Sequence, residues 1–556
     1  MHASLYHMIT PAVFRPSEKL LPSRDLHFRR DVSLTQFVSI LTSGNEVSMP
    51  EMDDKTAAFW DYQSLFTSQR LEVENPIKLR LIDGALPRDF PSGTYYLTGP
   101  GLFADDYGSM VHPLDGHGYL RAFEIDGPKG EVKFSAKYVK TEAQMEECDL
   151  VSGSWRFTHR GPFSVLKGGK KFANTKVMKN VANTNILKWG VFKMPPKRLL
   201  SHYKVDVRRG RLIIMACNAE DMLLPRSHFT FYEFDVNLNL LQKREFNIPD
   251  HLMIHDWAFT DTYYIIFGNR VRFDISGSMA AISGVAPMIS ALSVNHSRPT
   301  SPIYLLPRFS STDSTSHHWQ NPIEAPQLWL LHVANAFEEV EGDGSLKIQI
   351  HATACAYKWF NFLTMFGYNW QSRILDPSIM NGTGKEQLLP NLVKLSIESE
   401  KSENHHNFRY SCTATSLREG SRSRCSDFPI INPKCSGHEH RYIYAAAASG
   451  THETLPNFPF DTVLKLDCLN GKVRIWCPGN RTFIGEPMFV SRGPSMVEED
   501  DGYLVLVEYV VSNRRCNLVI LDARRIGEAS AVVARFEVPK HLTFPLGFHG
   551  AWASKE

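Results

Sequence analysis

Four histidines stand apart from the other histidines of this chain, which holds 22 in all. His202 lies in Leu199-Leu-Ser-His-Tyr-Lys-Val-Asp and His255 in Met253-Ile-His-Asp-Trp-Ala-Phe. His332 lies in Trp329-Leu-Leu-His-Val-Ala-Asn-Ala-Phe, and His549 in Pro545-Leu-Gly-Phe-His-Gly-Ala-Trp near the C-terminus. Their apolar flanks suggest burial. A buried neutral imidazole needs a partner for its polar nitrogens, such as a metal ion or a carboxylate. Separations of 53, 77 and 217 residues rule out a local loop or helix motif. If these side chains meet, the fold must bring them together.

The elements available for that task read as short strands. Gly93-Thr-Tyr-Tyr-Leu, Arg211-Leu-Ile-Ile-Met, Tyr263-Tyr-Ile-Ile-Phe, Lys472-Val-Arg-Ile-Trp and Leu504-Val-Leu-Val-Glu-Tyr are each bounded by Gly, Pro, Asn or Asp. Such runs from about residue 51 onward, without intervening amphipathic helices, predict an all-β fold: barrel, sandwich or propeller. No regular blade repeat selects among them. Two segments differ. Residues 399–426, rich in Ser, Arg, Lys, His and Asn, read as a solvated surface loop. Residues 275–294 carry no charge. Their Ser, Gly and Pro content argues against a membrane span and leaves a shallow peripheral membrane contact or a buried loop-helix element.

Composition narrows the class further. Over 556 residues the chain is 43% hydrophobic and 22% charged, ample for a large core. A net charge of +2 with no long basic block excludes nucleic acid as the main partner. Nine scattered cysteines without a Cys-x-x-Cys pair point to a reducing compartment. The first fifty residues, with Arg15, Arg24, Arg29 and Arg30 and few acids, fit an organelle transit peptide or a disordered N-terminus.

From about residue 51 to the end the sequence resembles the carotenoid cleavage oxygenases. The resemblance rests on Gly93-Thr-Tyr-Tyr-Leu-Thr-Gly-Pro-Gly, His112-Pro-Leu-Asp-Gly-His-Gly, Met253-Ile-His-Asp, His332-Val-Ala-Asn-Ala-Phe-Glu-Glu, Gly485-Glu-Pro-Met-Phe-Val and Gly547-Phe-His-Gly, in that order. It implies a seven-bladed β-propeller with one Fe(II) on its axis and a loop and helix cap over a hydrophobic tunnel. His202, His255, His332 and His549 match the family's four iron ligands. Glu486 matches a carboxylate that orients a ligand. Asp427 falls where many members have Glu, which puts its reach in question. His117 lies in a structural glycine-rich stretch outside the ligand pattern, and His317 and His318 are loop residues. Dioxygen would be the co-substrate, a carotenoid the substrate and the plastid the compartment. Met52-Asp-Asp-Lys, the run from Trp155 to Lys171 and Asn218-Ala-Glu-Asp-Met-Leu-Leu-Pro resemble the plant branch that cuts the 9′,10′ bond of 9-cis-β-carotene on the way to strigolactones.

The sequence also departs from that family. After Asn183-Thr-Asn-Ile-Leu-Lys-Trp-Gly, relatives continue into a Gly-Arg-Leu strand and a Trp-Glu-Gly-Gly turn bearing a third orienting glutamate. Here Trp189-Gly190 runs directly into Val191-Phe-Lys-Met-Pro-Pro-Lys. A piece on the order of 40–60 residues, about one propeller repeat, is missing. The join falls inside a strand, as a skipped exon or faulty gene model would leave it. Two functional readings therefore stand side by side: a carotenoid-cleaving dioxygenase, and a variant of one that does not perform the cleavage. An isomerase of the same fold is a third reading, disfavoured by the plant-branch motifs.

Overall fold

Alternation of inward and outward side chains builds the sheets. In Glu131–Tyr138 every second residue is buried, and in His117–Asp126 buried and half-buried positions alternate from Tyr119 onward. This period of two is what a pleated strand produces when one face packs on a core. A computed structural model describes residues 54–555 except 150, 158–180, 188–197, 218–225, 283–287, 310–320, 343, 370–373, 383–387, 402–407, 418–424 and 494–496. The first fifty residues, the Trp189–Val191 join, the Asn218–Pro225 motif, most of the Trp155–Lys171 run, His317 and His318 lie outside the described residues.

Among the described residues there are six antiparallel sheets of four or more strands. Four follow one another as chain-order meanders. The first holds Arg198–Leu199, Lys204–Asp206, Arg211–Cys217, Ser227–Phe234 and Leu240–Ile248. The second holds Trp257–Phe259, Tyr263–Phe267, Thr300–Pro307 and Ile323–Pro326. The third holds Trp329–Val340, Leu346–Cys355, Asn391–Lys401 and Phe408–Ser416, and the fourth Ser426–Ile430, Tyr442–Ala447, Thr462–Asp467 and Lys472–Trp476. The remaining two sheets combine the beginning and the end of this unit. Gly550–Ser554 pairs with Gly93–Leu97, with Trp552 opposite Tyr95. Arg80–Gly84 pairs with Val532–Glu537. These exchanged strands cover edges that would otherwise stay open and tie the early chain to the late chain.

The apolar core is divided into several clusters, some spanning neighbouring sheets. Ala258, Ile265 and Ile303 pack with Leu330, Ile348 and Ile350, for example. A buried ion network adds a polar tie. The Arg308 guanidinium, fully buried, pairs with Glu233 at 2.6 Å and Asp206 at 2.7 Å on the adjacent sheet. Burial alone would raise both carboxyls; the hydrogen bonds and charge of the arginines beside them hold them below their usual range. Stability from this network is present above the ordinary carboxylate pKa and is lost as pH falls through the lowered folded values. Arg308→Met is expected to cost about 3–5 kcal/mol, because Glu233 would remain buried without its main partner. A urea unfolding midpoint at neutral pH measures this, and the deficit should shrink in acid.

Two expectations change shape. The 399–426 stretch, expected as a surface loop, contains the strand Phe408–Ser416, paired in register with Asn391–Lys401. Its Tyr410, Cys412 and Ala414 alternate inward with polar neighbours and pack against the core, a strand signal that the charged flanks obscure in composition. The 275–294 segment forms the helix Ile275–Ile282, the turn Met288–Ala291 and the strand Leu292–Val294. Among the described residues, no helix is long and apolar enough to cross a membrane.

Candidate metal centre

Each of the six large sheets contributes one residue, from or beside an edge strand: four a histidine that reaches a common point, and two a carboxylate behind one of those histidines. His202 lies between Arg198–Leu199 and Lys204–Asp206, His255 just before Trp257–Phe259, and His332 within Trp329–Val340. His549 precedes the exchanged strand Gly550–Ser554. The other two sheets supply Asp427, on Ser426–Ile430, and Glu486, between Thr482–Ile484 and Met488–Ser491. The four imidazoles offer ligand atoms that all lie within 4.8 Å of one another. His255 Nε2 is 3.3 Å from His202 Nε2 and 3.1 Å from His332 Nε2. His202 meets His549 edge to face, with ring centroids 4.6 Å apart.

The backbone around each histidine is shaped for this convergence. Register shifts flank His332, between Leu330 and His332 and again between Val333 and Asn335. Bulges of this kind re-aim a side chain locally. At His549 the chain lies almost on the backbone beneath it: Phe548 N–H donates to the Thr98 carbonyl at 2.8 Å and Thr98 N–H to the His549 carbonyl at 3.1 Å. A Cβ at Gly547 would sit 2.5 Å from the Leu97 side chain and 2.9 Å from the Thr98 carbonyl, so only glycine fits this approach. His202 is anchored through its carbonyl, which accepts from the Trp257 indole N–H at 2.9 Å.

Two carboxylates fix ring orientation from the far side. Glu486 Oε1 accepts from His549 Nδ1 at 2.9 Å, while its Oε2 accepts from Gly550 N–H at 2.8 Å. Asp427 Oδ1 lies 2.8 Å from His332 Nδ1, so the shorter side chain does reach. Its backbone makes up the difference. The strand bulges between Asp427 and Ile430, and Phe428 adopts φ +55°, a left-handed conformation that a bulky residue rarely takes. Thr353 Oγ1 donates to the same Asp427 oxygen at 2.5 Å. Sequence reasoning did not single out Thr353, Phe428 or Asp256. Asp256 accepts from Val333 N–H at 2.7 Å and pairs with Lys204 at 2.9 Å, linking the neighbours of three of the histidines. Its place directly after His255 was the only signal in the sequence.

No carboxylate meets His202 among the described residues. The electrostatics follow this arrangement. Burial, then the neighbouring imidazoles His549, His255 and His332, push His202 well below the usual histidine range. Burial and His332 bring His255 down to about 3. Burial also opposes charge on His332, but Asp427 outweighs it and raises that ring. Neutral imidazoles with inward Nε2 lone pairs are the form that binds a divalent transition metal. Asp427→Asn is expected to weaken divalent-metal binding by about 10–100-fold, the usual consequence of losing a carboxylate behind a ligating histidine. Titration of metal-free protein with Fe(II) under anaerobic conditions measures it.

His117 lies elsewhere. Its Nε2 is 2.7 Å from Glu147 Oε2, both side chains fully buried, in keeping with a structural role. An aromatic series leads away from the four histidines. Phe428 stacks on His332 with centroids 5.1 Å apart and meets His549 edge to face. Phe460, Phe458, Phe366 and Phe66 continue the series, each 5.6–6.2 Å from the last.

The family model described as retinal pigment epithelial membrane protein matches residues 66–192 and 189–554, and the chain belongs to this family of carotenoid oxygenases. Within it, the chain is 53% identical to the chloroplastic carotenoid cleavage dioxygenase 7 of Arabidopsis thaliana, covering 90% of this chain and 92% of the relative. The rice protein of the same name is 49% identical, covering 91% and 93%. The cobalt-substituted apocarotenoid oxygenase of Synechocystis, a solved structure, aligns with a TM-score of 0.69 at 25% identity, over 89% of this chain and 99% of that one. The family match breaks at 189–192, where the Trp189-Gly190-Val191 join lies. The alignment with the Arabidopsis protein runs over 574 positions but takes in about 500 residues of this chain, so roughly 70 positions face a gap here.

Proposed function

We propose that this chain is built as a non-haem Fe(II) dioxygenase that splits one double bond of a carotenoid into two carbonyl products. The observation that carries it is the meeting of His202, His255, His332 and His549, from four sheets, within 4.8 Å. Four neutral donors leave the full charge of Fe(II) in place, and when bound that ion supplies activation of dioxygen. The protein's own part is positional. Glu486 and Asp427 hold His549 and His332 by their Nδ1 atoms and keep the Nε2 lone pairs inward. The Phe428–Phe460–Phe458–Phe366–Phe66 series offers an apolar wall along which a polyene packs and from which water is excluded, at about 25 cal/mol per Å² of apolar area buried. The tunnel and cap of a seven-bladed propeller belong to this reading, with the seventh sheet being the one that the gap after Gly190 removes.

The finer assignment follows the 53% identity to a carotenoid cleavage dioxygenase 7. The substrate is 9-cis-β-carotene, cut at the 9′,10′ bond to give 9-cis-β-apo-10′-carotenal and β-ionone in strigolactone biosynthesis. Plastid residence follows the chloroplastic names of the two plant relatives. Incubation with Fe(II), dioxygen and 9-cis-β-carotene should release β-ionone into the headspace; soluble, iron-loaded protein that forms no cleavage product would refute the substrate assignment.

A second reading has its own support. The gap at 189–192 and the absence of a carboxylate behind His202 among the described residues favour a catalytically impaired variant. A polyene substrate must also come from a membrane. Ile275 is 83% exposed and Met279 64% exposed on one short helix, beside Phe273 at 40%, which suits a peripheral lipid contact. Ile275→Glu with Met279→Glu is expected to reduce sedimentation with phosphatidylcholine vesicles several-fold while leaving iron content unchanged.

A further inference from the structure

A second cluster of metal-ligating side chains lies apart from the four histidines. His351 is on the strand Leu346–Cys355, His440 just precedes Tyr442–Ala447, and Cys468 directly follows Thr462–Asp467. Two neighbouring sheets thus contribute. Their ligand atoms all lie within 4.8 Å of one another. His351 Nδ1 and His440 Nε2 are 2.9 Å apart. We propose that His351, His440 and Cys468 form a second metal site, selective for a borderline-soft divalent ion of the Zn(II) class, which staples the two sheets together.

Three features favour a metal over a plain imidazole–imidazole hydrogen bond. First, the loop that carries His440 is held in place by one side chain. Asn335 Oδ1 accepts from Gly437 N–H at 2.9 Å, and its Nδ2 donates to the carbonyls of Cys435 at 3.1 Å and His438 at 2.7 Å. The same Asn335 Nδ2 lies 3.0 Å from His440 Nδ1, so one amide fixes both the loop and the orientation of the ring. Second, both rings are buried and edge-on to Phe337, with centroids 6.1 and 5.9 Å away, so water does not compete for them. Third, Cys468 is only partly buried, which leaves a path for the ion, and its N–H bond to the Arg441 carbonyl at 2.7 Å fixes its position beside the His440 loop.

The surroundings suit a cation better than a free thiolate. The carboxylates of Glu499 and Asp467 lie near enough to act on Cys468 electrostatically. The same two carboxylates attract a bound dication. Binding replaces the S–H bond by a metal–sulfur bond and releases the proton to solvent, so uptake strengthens as pH rises. The open side at the half-buried Cys468 leaves the fourth position of a tetrahedral set to a solvent molecule.

The test uses the full chain, stripped of metal and titrated with Co(II) alone. An all-imidazole site gives no sulfur-to-cobalt charge-transfer band, whereas a Cys468 ligand does. Two Co(II) equivalents are expected, with the near-ultraviolet band lost in Cys468→Ser and in His440→Gln while one equivalent still binds. In His255→Ala, which disables the four-histidine centre, the band should persist, separating this proposal from the iron reading. Binding of one equivalent with no such band, or a band that survives Cys468→Ser, would overturn it.

Discussion

Reinsertion, at the 189–192 break, of the segment that the Arabidopsis relative carries there is expected to raise carotenoid cleavage by at least about 10–100-fold. The argument is geometric. Six sheets each supply one residue, a histidine at the centre or a carboxylate behind one, in the chain order His202, His255, His332, Asp427, Glu486, His549. His332 takes its carboxylate from the sheet that follows it, and His549 takes its own from the sheet that precedes it. The gap falls between the strands that end at Tyr138 and those that begin at Arg198, on the side of His202. A sheet restored there would supply the missing orienting group for His202 and close the remaining edge. β-Ionone release from the two forms, normalised to bound iron, reads the effect. Equal rates would mean that His202 is held well enough without a carboxylate, and the impaired-variant reading would fall.

His255→Ala should have the other large effect: iron content falling from about one per chain to a small fraction, and turnover falling by at least about a thousandfold, beyond any loss from an orienting carboxylate. His255 lies against two of the other three rings, 3.3 Å from His202 and 3.1 Å from His332 by their Nε2 atoms. Removing it leaves three donors and a void that water fills, so the remaining set no longer defines one geometry. The fold should survive, because the segment is secured by neighbours rather than by the ring: Trp257 is fully buried and bonded to the His202 carbonyl, and Asp256 accepts from Val333 N–H. Metal analysis after gel filtration, with circular dichroism to show an unchanged sheet signal, makes the measurement. His117→Gln is the matching control, since His117 pairs with Glu147 and should leave iron content intact.

Much of this centre was legible in the residues. The apolar flanks of His202, His255, His332 and His549 marked them as buried, and family motifs around them and around Glu486 assigned their partners. The all-β character followed from short β-branched and aromatic runs, because strand periodicity is local and survives in any fold. The break after Gly190 was legible too, because the motifs that follow Asn183–Gly190 in the family are missing from this sequence.

Tertiary structure alone decided the rest. Whether Asp427 could replace a glutamate depended on the left-handed Phe428 and the bulge beside it, and on Thr353, 74 residues away in sequence, holding the same oxygen. Within residues 399–426, Phe408–Ser416 became a paired strand because Asn391–Lys401 offered a free edge, which outweighs a polar composition. His351, His440 and Cys468 share no motif and no spacing. Residue types and local pattern state which side chains can do chemistry, but distances of a few ångströms between segments hundreds of residues apart are set by sheet register and packing, which no local pattern encodes.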